Sequence, residues 1–83
     1  MRVHELKIWP PYFDAVMSDR KTCELRKNDR DFHVGDTLLL REWDPKIEGY
    51  TGAQQLAVIT HITQEVCGLM EGYCVLSIRR IIR

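Results

Sequence analysis

Between positions 20 and 27 the chain reads Arg-Lys-Thr-Cys-Glu-Leu-Arg-Lys, the densest run of reactive side chains in its 83 residues. In an extended strand Thr22, Glu24 and Arg26 share one face, Cys23 and Leu25 take the other, and Lys21 sits where the preceding element hands over. An ammonium, a hydroxyl, a carboxylate and a guanidinium then converge on one small area. Glu24 can accept from an exocyclic amine such as cytosine N4, while Lys21 and Arg26 can hold phosphate or carbonyl oxygens. The same spacing also suits a solvated strand face, with Glu24 paired to Arg26 or, across a sheet, to Arg41, an arrangement worth little in stability. Five aromatic residues, Trp9, Tyr12, Trp43, Tyr50 and Tyr73, could offer a stacking surface to an unpaired base. Trp43 and Tyr50 flank a loop-like stretch with glycines and are expected to line a site; Trp9 and Phe13 are expected in the core.

The elements that must position these groups follow from periodicity. Val3 to Ile8 alternates, with His4, Leu6 and Ile8 on one face, as a half-buried strand does. Pro11 suits a first helical turn, and Trp9, Phe13, Val16 and Met17 fall at helical spacing, so a helix should end near Asp19 or Arg20. Lys21 to Arg26 then returns to period two. Val34-Gly35-Asp36 reads as a turn whose glycine takes a positive φ. It opens a strand from Thr37 to Trp43, where Leu38-Leu39-Leu40 suggests burial on both faces. Asp44 to Gln54 is the longest expected loop, Leu56 to Thr63 a β-branched strand, Gln64 to Gly72 a short connection, and Tyr73 to Ile82 the last strand, with Cys74, Leu76, Ile78 and Ile82 inward. Five short strands with one early helix describe a mostly β (α+β) single domain over 1–83, expected to close as a small, mostly antiparallel barrel because closure removes exposed edges.

Composition narrows the functions open to such a domain. Twelve basic and 12 acidic residues leave no net charge, so any nucleic-acid contact must come from a local patch rather than a general coating of phosphates. Cys23, Cys67 and Cys74 form no CxxC pair, and His4, His33 and His61 have no zinc-like spacing, so no metal and no cofactor is expected, and the thiols should be reduced, with Cys23 inert on the Leu25 face. No apolar run reaches the ~18 residues of a membrane helix, and the first residues lack a signal peptide's apolar core; a cytoplasmic protein without membrane contact is expected. The basic end at Arg79, Arg80 and Arg83 reads as a solvated terminus, with an auxiliary phosphate contact as the alternative.

His4-Glu5-Leu6-Lys7-Ile8-Trp9-Pro10-Pro11-Tyr12-Phe13, the run from Arg20 to Phe32, Val34-Gly35-Asp36 and Leu40-Arg41-Glu42-Trp43-Asp44-Pro45 together resemble a group of small bacterial and phage proteins among the ASCH-type (activating signal cointegrator homology) domains of the PUA-like superfamily. The similarity runs over nearly the whole chain, and Lys-Thr-x-Glu-x-Arg followed by Val-Gly-Asp is its most specific part. It implies a PUA-like β-barrel with a helix closing one end, a cleft beside that helix and a role in binding RNA. A related branch hydrolyses the amide of N4-acetylated cytidine with a lysine, a threonine nucleophile and a later glutamate. Lys21 matches that lysine, but the nucleophile position holds Glu24; Thr22 lies two residues earlier, and the later acid would be Glu65 or Glu71. A carboxylate facing Lys21 also opposes its use as a general base. The expectation is therefore a module binding RNA or a modified nucleobase through Lys21, Thr22, Glu24 and Arg26, with Trp43 or Tyr50 stacking. The alternatives are an amidohydrolase or ribonuclease using Lys21 with Glu24 or Thr22, and a phage or bacterial protein-interaction factor.

Overall fold

Alternation at the start of the chain produces the first strand: β1 (Val3–Ile8) buries His4, Leu6 and Ile8 and exposes the residues between them. A computed structural model describes residues 1–66 and 68–82. After β1 come α1 (Pro10–Met17), β2 (Cys23–Lys27), β3 (Thr37–Asp44), β4 (Gly49–Gln64) and β5 (Tyr73–Arg80). The strands form one five-stranded sheet in the order β1-β3-β4-β5-β2, curled into a half-barrel. Three of its pairings are antiparallel, whereas β1 runs parallel to β3. The protein is thus mostly β with one short helix. Closure takes another form than a continuous ladder, because β1 and β2 remain the two edges of the sheet.

The core fills the concave side: Leu6, Ile8, Leu38, Leu40, Ala57, Ile59, Cys74, Leu76 and Ile78 from the strands, Phe13 and Val16 from α1, and Phe32 from the loop before β3. Of the three consecutive leucines only Leu38 and Leu40 are buried; Leu39 lies on the outer face opposite Leu56, since that face has no covering layer. In β4 the two-residue period is interrupted at Thr60. Ile59 pairs with Ile78 and His61 with Ser77, so Thr60 is the extra residue of a bulge, and the phase shift brings Ile62 rather than His61 against the core. The expected loop from Asp44 to Gln54 is also shorter than its glycines suggested. β4 begins at Gly49 and pairs with β3 through Trp43 and Tyr50, giving a hairpin arm that extends past the core. At the far end the last strand stops at Arg80, and Ile82, expected inward, is exposed.

A polar fastening holds the beginning of β1. His4 Nε2 lies 2.8 Å from Asp36 Oδ2, both residues are buried, and the His4 ring packs edge-on against Phe32. The Asp36 carboxylate also accepts the backbone N–H groups of His33 and Arg2. It can do so because His33 to Asp36 is a turn in which Gly35 adopts φ +96, as the sequence requires, and Gly35 N–H reaches Ile59 O. The hydrogen bond from His4, aided by those two N–H groups, outweighs burial and lowers the Asp36 carboxyl from 3.8 to about 2. A carboxylate with a depressed folded-state value stabilises above its unfolded value and loses that contribution as pH falls through the folded one. Urea unfolding between about pH 5 and pH 2 should therefore show a loss on the order of 1–2 kcal/mol from this group as pH drops from about 4 to about 2. The Asp36→Asn variant should be less stable at neutral pH and should lack that component of the acid slope.

Candidate functional site: a charged seam between the sheet edges

The helix end sets the position of Lys21. Beyond Met17 the chain closes α1 with a Schellman arrangement: Asp19 N–H donates to Val16 O and Arg20 N–H to Ala15 O, with Asp19 in the left-handed region at φ 60. Glycine is the usual occupant of that position. Here the aspartate is held by a two-pronged ion pair, Arg80 Nε to Oδ1 at 3.0 Å and Nη2 to Oδ2 at 2.8 Å, which lowers the Asp19 carboxyl and raises the Arg80 guanidinium. Lys21 N–H also donates to Ala15 O, so the residue is tied to the helix before β2 begins.

Strand β2 then turns its polar face inward. Glu24 is only 6% exposed, whereas Leu25 is 59% exposed and Cys23 is also on the surface. Cys23 does share the face of Leu25, and that face is the exposed one. The physical reason is that β2 is an edge strand facing the gap to β1, where long cationic side chains can reach a carboxylate and still touch water. Lys21 Nζ donates to Glu24 Oε1, and Arg26 donates to Oε2 through Nε at 2.8 Å, with Nη2 at 2.7 Å. Arg26 Nη2 also donates to the Lys7 carbonyl at 2.6 Å, and Arg30 Nη1 donates to the Glu5 carbonyl at 2.5 Å. The guanidinium groups thus take up carbonyls on the free edge of β1 that a neighbouring strand would otherwise satisfy.

Above this seam lies a hollow of about 690 Å³, lined by Lys7, Trp9, Tyr12, Lys21, Glu24, Leu25, Arg26, Lys27 and Tyr73 together with Ile8. Its size is within the range of sites for small organic ligands, roughly 300–1,000 Å³. Trp9 and Tyr12 are 50% and 56% exposed at its rim. Trp9 is therefore not the core residue its spacing suggested. α1 has only eight residues and buries just Phe13 and Val16, which leaves both rings outside.

Of the residues singled out from the sequence, Lys21, Glu24 and Arg26 come together and Thr22, Trp43 and Tyr50 do not join them. Thr22 is exposed, is absent from the lining of the hollow, and uses its carbonyl to accept Ile78 N–H. Trp43 and Tyr50 are cross-strand partners on the hairpin arm, each with a cation over its ring: Lys7 Nζ 4.4 Å from the Trp43 centroid, and the Arg41 guanidinium 3.9 Å from that of Tyr50. Arg41 pairs with Glu5 rather than with Glu24. The aromatics at the hollow are Trp9, Tyr12 and Tyr73, which the sequence offered among five stacking candidates without assigning them to this site. Among the described residues no three His, Cys, Asp or Glu side chains gather as metal ligands, and no helix is long and apolar enough to cross a membrane. Cys74 is buried, and burial pushes its thiol up, which disfavours the reactive thiolate; Cys67 lies outside the described residues.

Removing one member of such a cluster leaves the others with uncompensated charge. Because the Lys21 and Arg26 side chains keep 24% and 27% of their exposure, the cost falls below that of a fully buried pair. Glu24→Ala should lower the unfolding free energy by about 1–3 kcal/mol in urea titrations at neutral pH. Thr22→Ala should change it by less than about 0.5 kcal/mol.

Comparison with known proteins gives the chain its relatives. Residues 3–78 match the family described as a domain of unknown function, DUF3850. The chain is also 40% identical over 76 residues to the "Uncharacterized 12.9 kDa protein in GpA 3'region" of Escherichia phage P2, an alignment that covers 90% of this chain and 66% of the phage protein. It thus spans just under two thirds of that relative's length. The family match takes in β1, α1, β2 and every residue lining the seam hollow, and on that basis the chain belongs to the DUF3850 family.

Proposed function

We propose that the seam hollow binds an unpaired base or nucleoside of RNA, and that the chain is an ASCH-type module of the PUA-like superfamily. The observation that carries this reading is a buried carboxylate, Glu24, presented between Lys21 and Arg26 below two half-exposed aromatic rings. A nucleobase has flat apolar faces and a polar edge, and the hollow offers both counterparts. Trp9, Tyr12 and Leu25 supply surface for the faces, with stacking worth about 1–3 kcal/mol per base in sites of this kind. Lys21, Glu24 and Arg26 supply donors and an acceptor for the edge. Glu24 Oε1 carries a hydrogen bond from Lys21 only, so one acceptor direction remains for an exocyclic amine. The resemblance of the Lys-Thr-x-Glu-x-Arg strand to RNA-binding ASCH-type domains supports the same assignment. Hydrolysis is less well served, because Thr22 lies outside the hollow and both Glu24 oxygens already accept from cations.

With no net charge to add long-range attraction, affinity should be modest and depend on the hollow itself. Fluorescence titration of short single-stranded RNAs at low and moderate salt should quench Trp9. Trp9→Ala, Lys21→Ala and Arg26→Ala should each weaken binding by about tenfold or more, whereas Trp43→Ala and Tyr50→Ala should weaken it less. Binding that is absent for every RNA, or that is indifferent to Lys21 and Arg26, would reject the assignment. Incubation with N4-acetylcytidine at high protein concentration should yield no product; deacetylation would replace the binding reading with the amidohydrolase one.

A further inference from the structure

Four cations line the hollow, Lys7, Lys21, Arg26 and Lys27, against the single carboxylate of Glu24. In a chain whose charges sum to zero, this is a local excess of positive charge. Lys21 and Arg26 are both engaged by Glu24. Among the described residues no carboxylate comes within ion-pair distance of Lys7 or Lys27. Both lie at the Arg26 end of the seam: Lys27 follows Arg26 in β2, and Lys7 is the residue whose carbonyl Arg26 holds. Trp9, Tyr12 and Lys21 belong to the helix end of the same hollow. One site therefore has an aromatic and hydrogen-bonding end and an end where the Lys27 ammonium has no carboxylate partner among the described residues, while the Lys7 ammonium lies over the Trp43 ring.

From this division we infer that the preferred ligand is a phosphorylated nucleoside, with its phosphate held by Lys27 beside Arg26, rather than a bare nucleoside or base. The inference rests on the reading of the hollow as a nucleoside site and adds the ligand's charge. A phosphate brings the negative charge that the Arg26 end lacks, and hydrogen bonds from ammonium groups to its oxygens are of the strong, charge-assisted kind. Two sources share this chemistry: a terminal phosphate monoester, and the internal phosphodiester of an RNA strand. Lys27 is exposed, so its ammonium carries no large desolvation cost before binding.

Isothermal titration calorimetry of the full chain tests this with three sets of probes: the four ribonucleosides, their 5′-monophosphates, and dinucleotides with one internal phosphate and no terminal one. The monophosphate or the dinucleotide should bind about tenfold or more tightly than the matching nucleoside at about 50 mM salt, with the gap narrowing at about 200 mM. Whichever of the two shows the larger gain identifies the source of the phosphate. Lys27→Ala should bring the phosphorylated probe down to the affinity of its nucleoside, and Lys46→Ala, at the hairpin tip, should leave the gap intact. Equal affinity of nucleosides and phosphorylated probes, or a gap untouched by Lys27→Ala, would overturn this inference while leaving the nucleoside site standing. Binding of none of the probes would remove both.

Discussion

The structure depends on how a buried carboxylate is neutralised at the open side of a curled sheet. Taking Glu24 out of water costs several kcal/mol unless opposite charge and hydrogen bonds replace its hydration. Lys21 and Arg26 provide both, and Arg26 does a second task with the same guanidinium by donating to the Lys7 carbonyl. A half-barrel with β1 and β2 as its edges would otherwise leave the Glu5 and Lys7 carbonyls on the free edge of β1 without these partners. Side chains from β2 and the loop after it span that gap. The seam is held without being filled, and the space left above it is the hollow.

A buried hydrogen bond and a further ion pair keep the parts of the seam in place. His4 and Asp36 pin the start of β1 to the turn that precedes β3, the strand with which β1 pairs. Arg80 and Asp19 tie the end of β5 to the helix terminus, just where the chain turns into β2. Lys21 therefore enters the seam from a backbone fixed on one side by α1 and on the other by the last strand. Such fixation matters for a binding site because groups already held in position lose little freedom when a ligand arrives. The Trp43 and Tyr50 rings serve the outer face instead. Lys7 and Arg41 lie over them.

Much of this was legible in the residues. The alternation of His4, Leu6 and Ile8, the turn at Gly35, the alternation of Cys74, Leu76 and Ile78, and the grouping of Lys21, Glu24 and Arg26 all depend on local periodicity, which a strand or helix imposes whatever surrounds it. Thr22 failed as a member of that group because it precedes the strand, where the two-residue period does not yet apply. The hairpin arm was hidden because Gly49 and Gly52 read as loop residues, and strand pairing along an arm needs no apolar face. The bulge at Thr60 was hidden because β-branched residues run through it without a break.

By itself the sequence determined a small β-rich domain with one early helix, a charge-balanced surface and the identity of the three charged groups that meet at the seam. Only the tertiary structure decided which way β2 faces, that β1 pairs in parallel with β3, and that Trp9 and Tyr12 rather than Trp43 and Tyr50 line the hollow with the charges. The reason is that alternation marks two faces without saying which one meets the core. That choice falls to packing between segments distant in sequence, here to an edge strand whose charged face lies opposite the free carbonyls of β1.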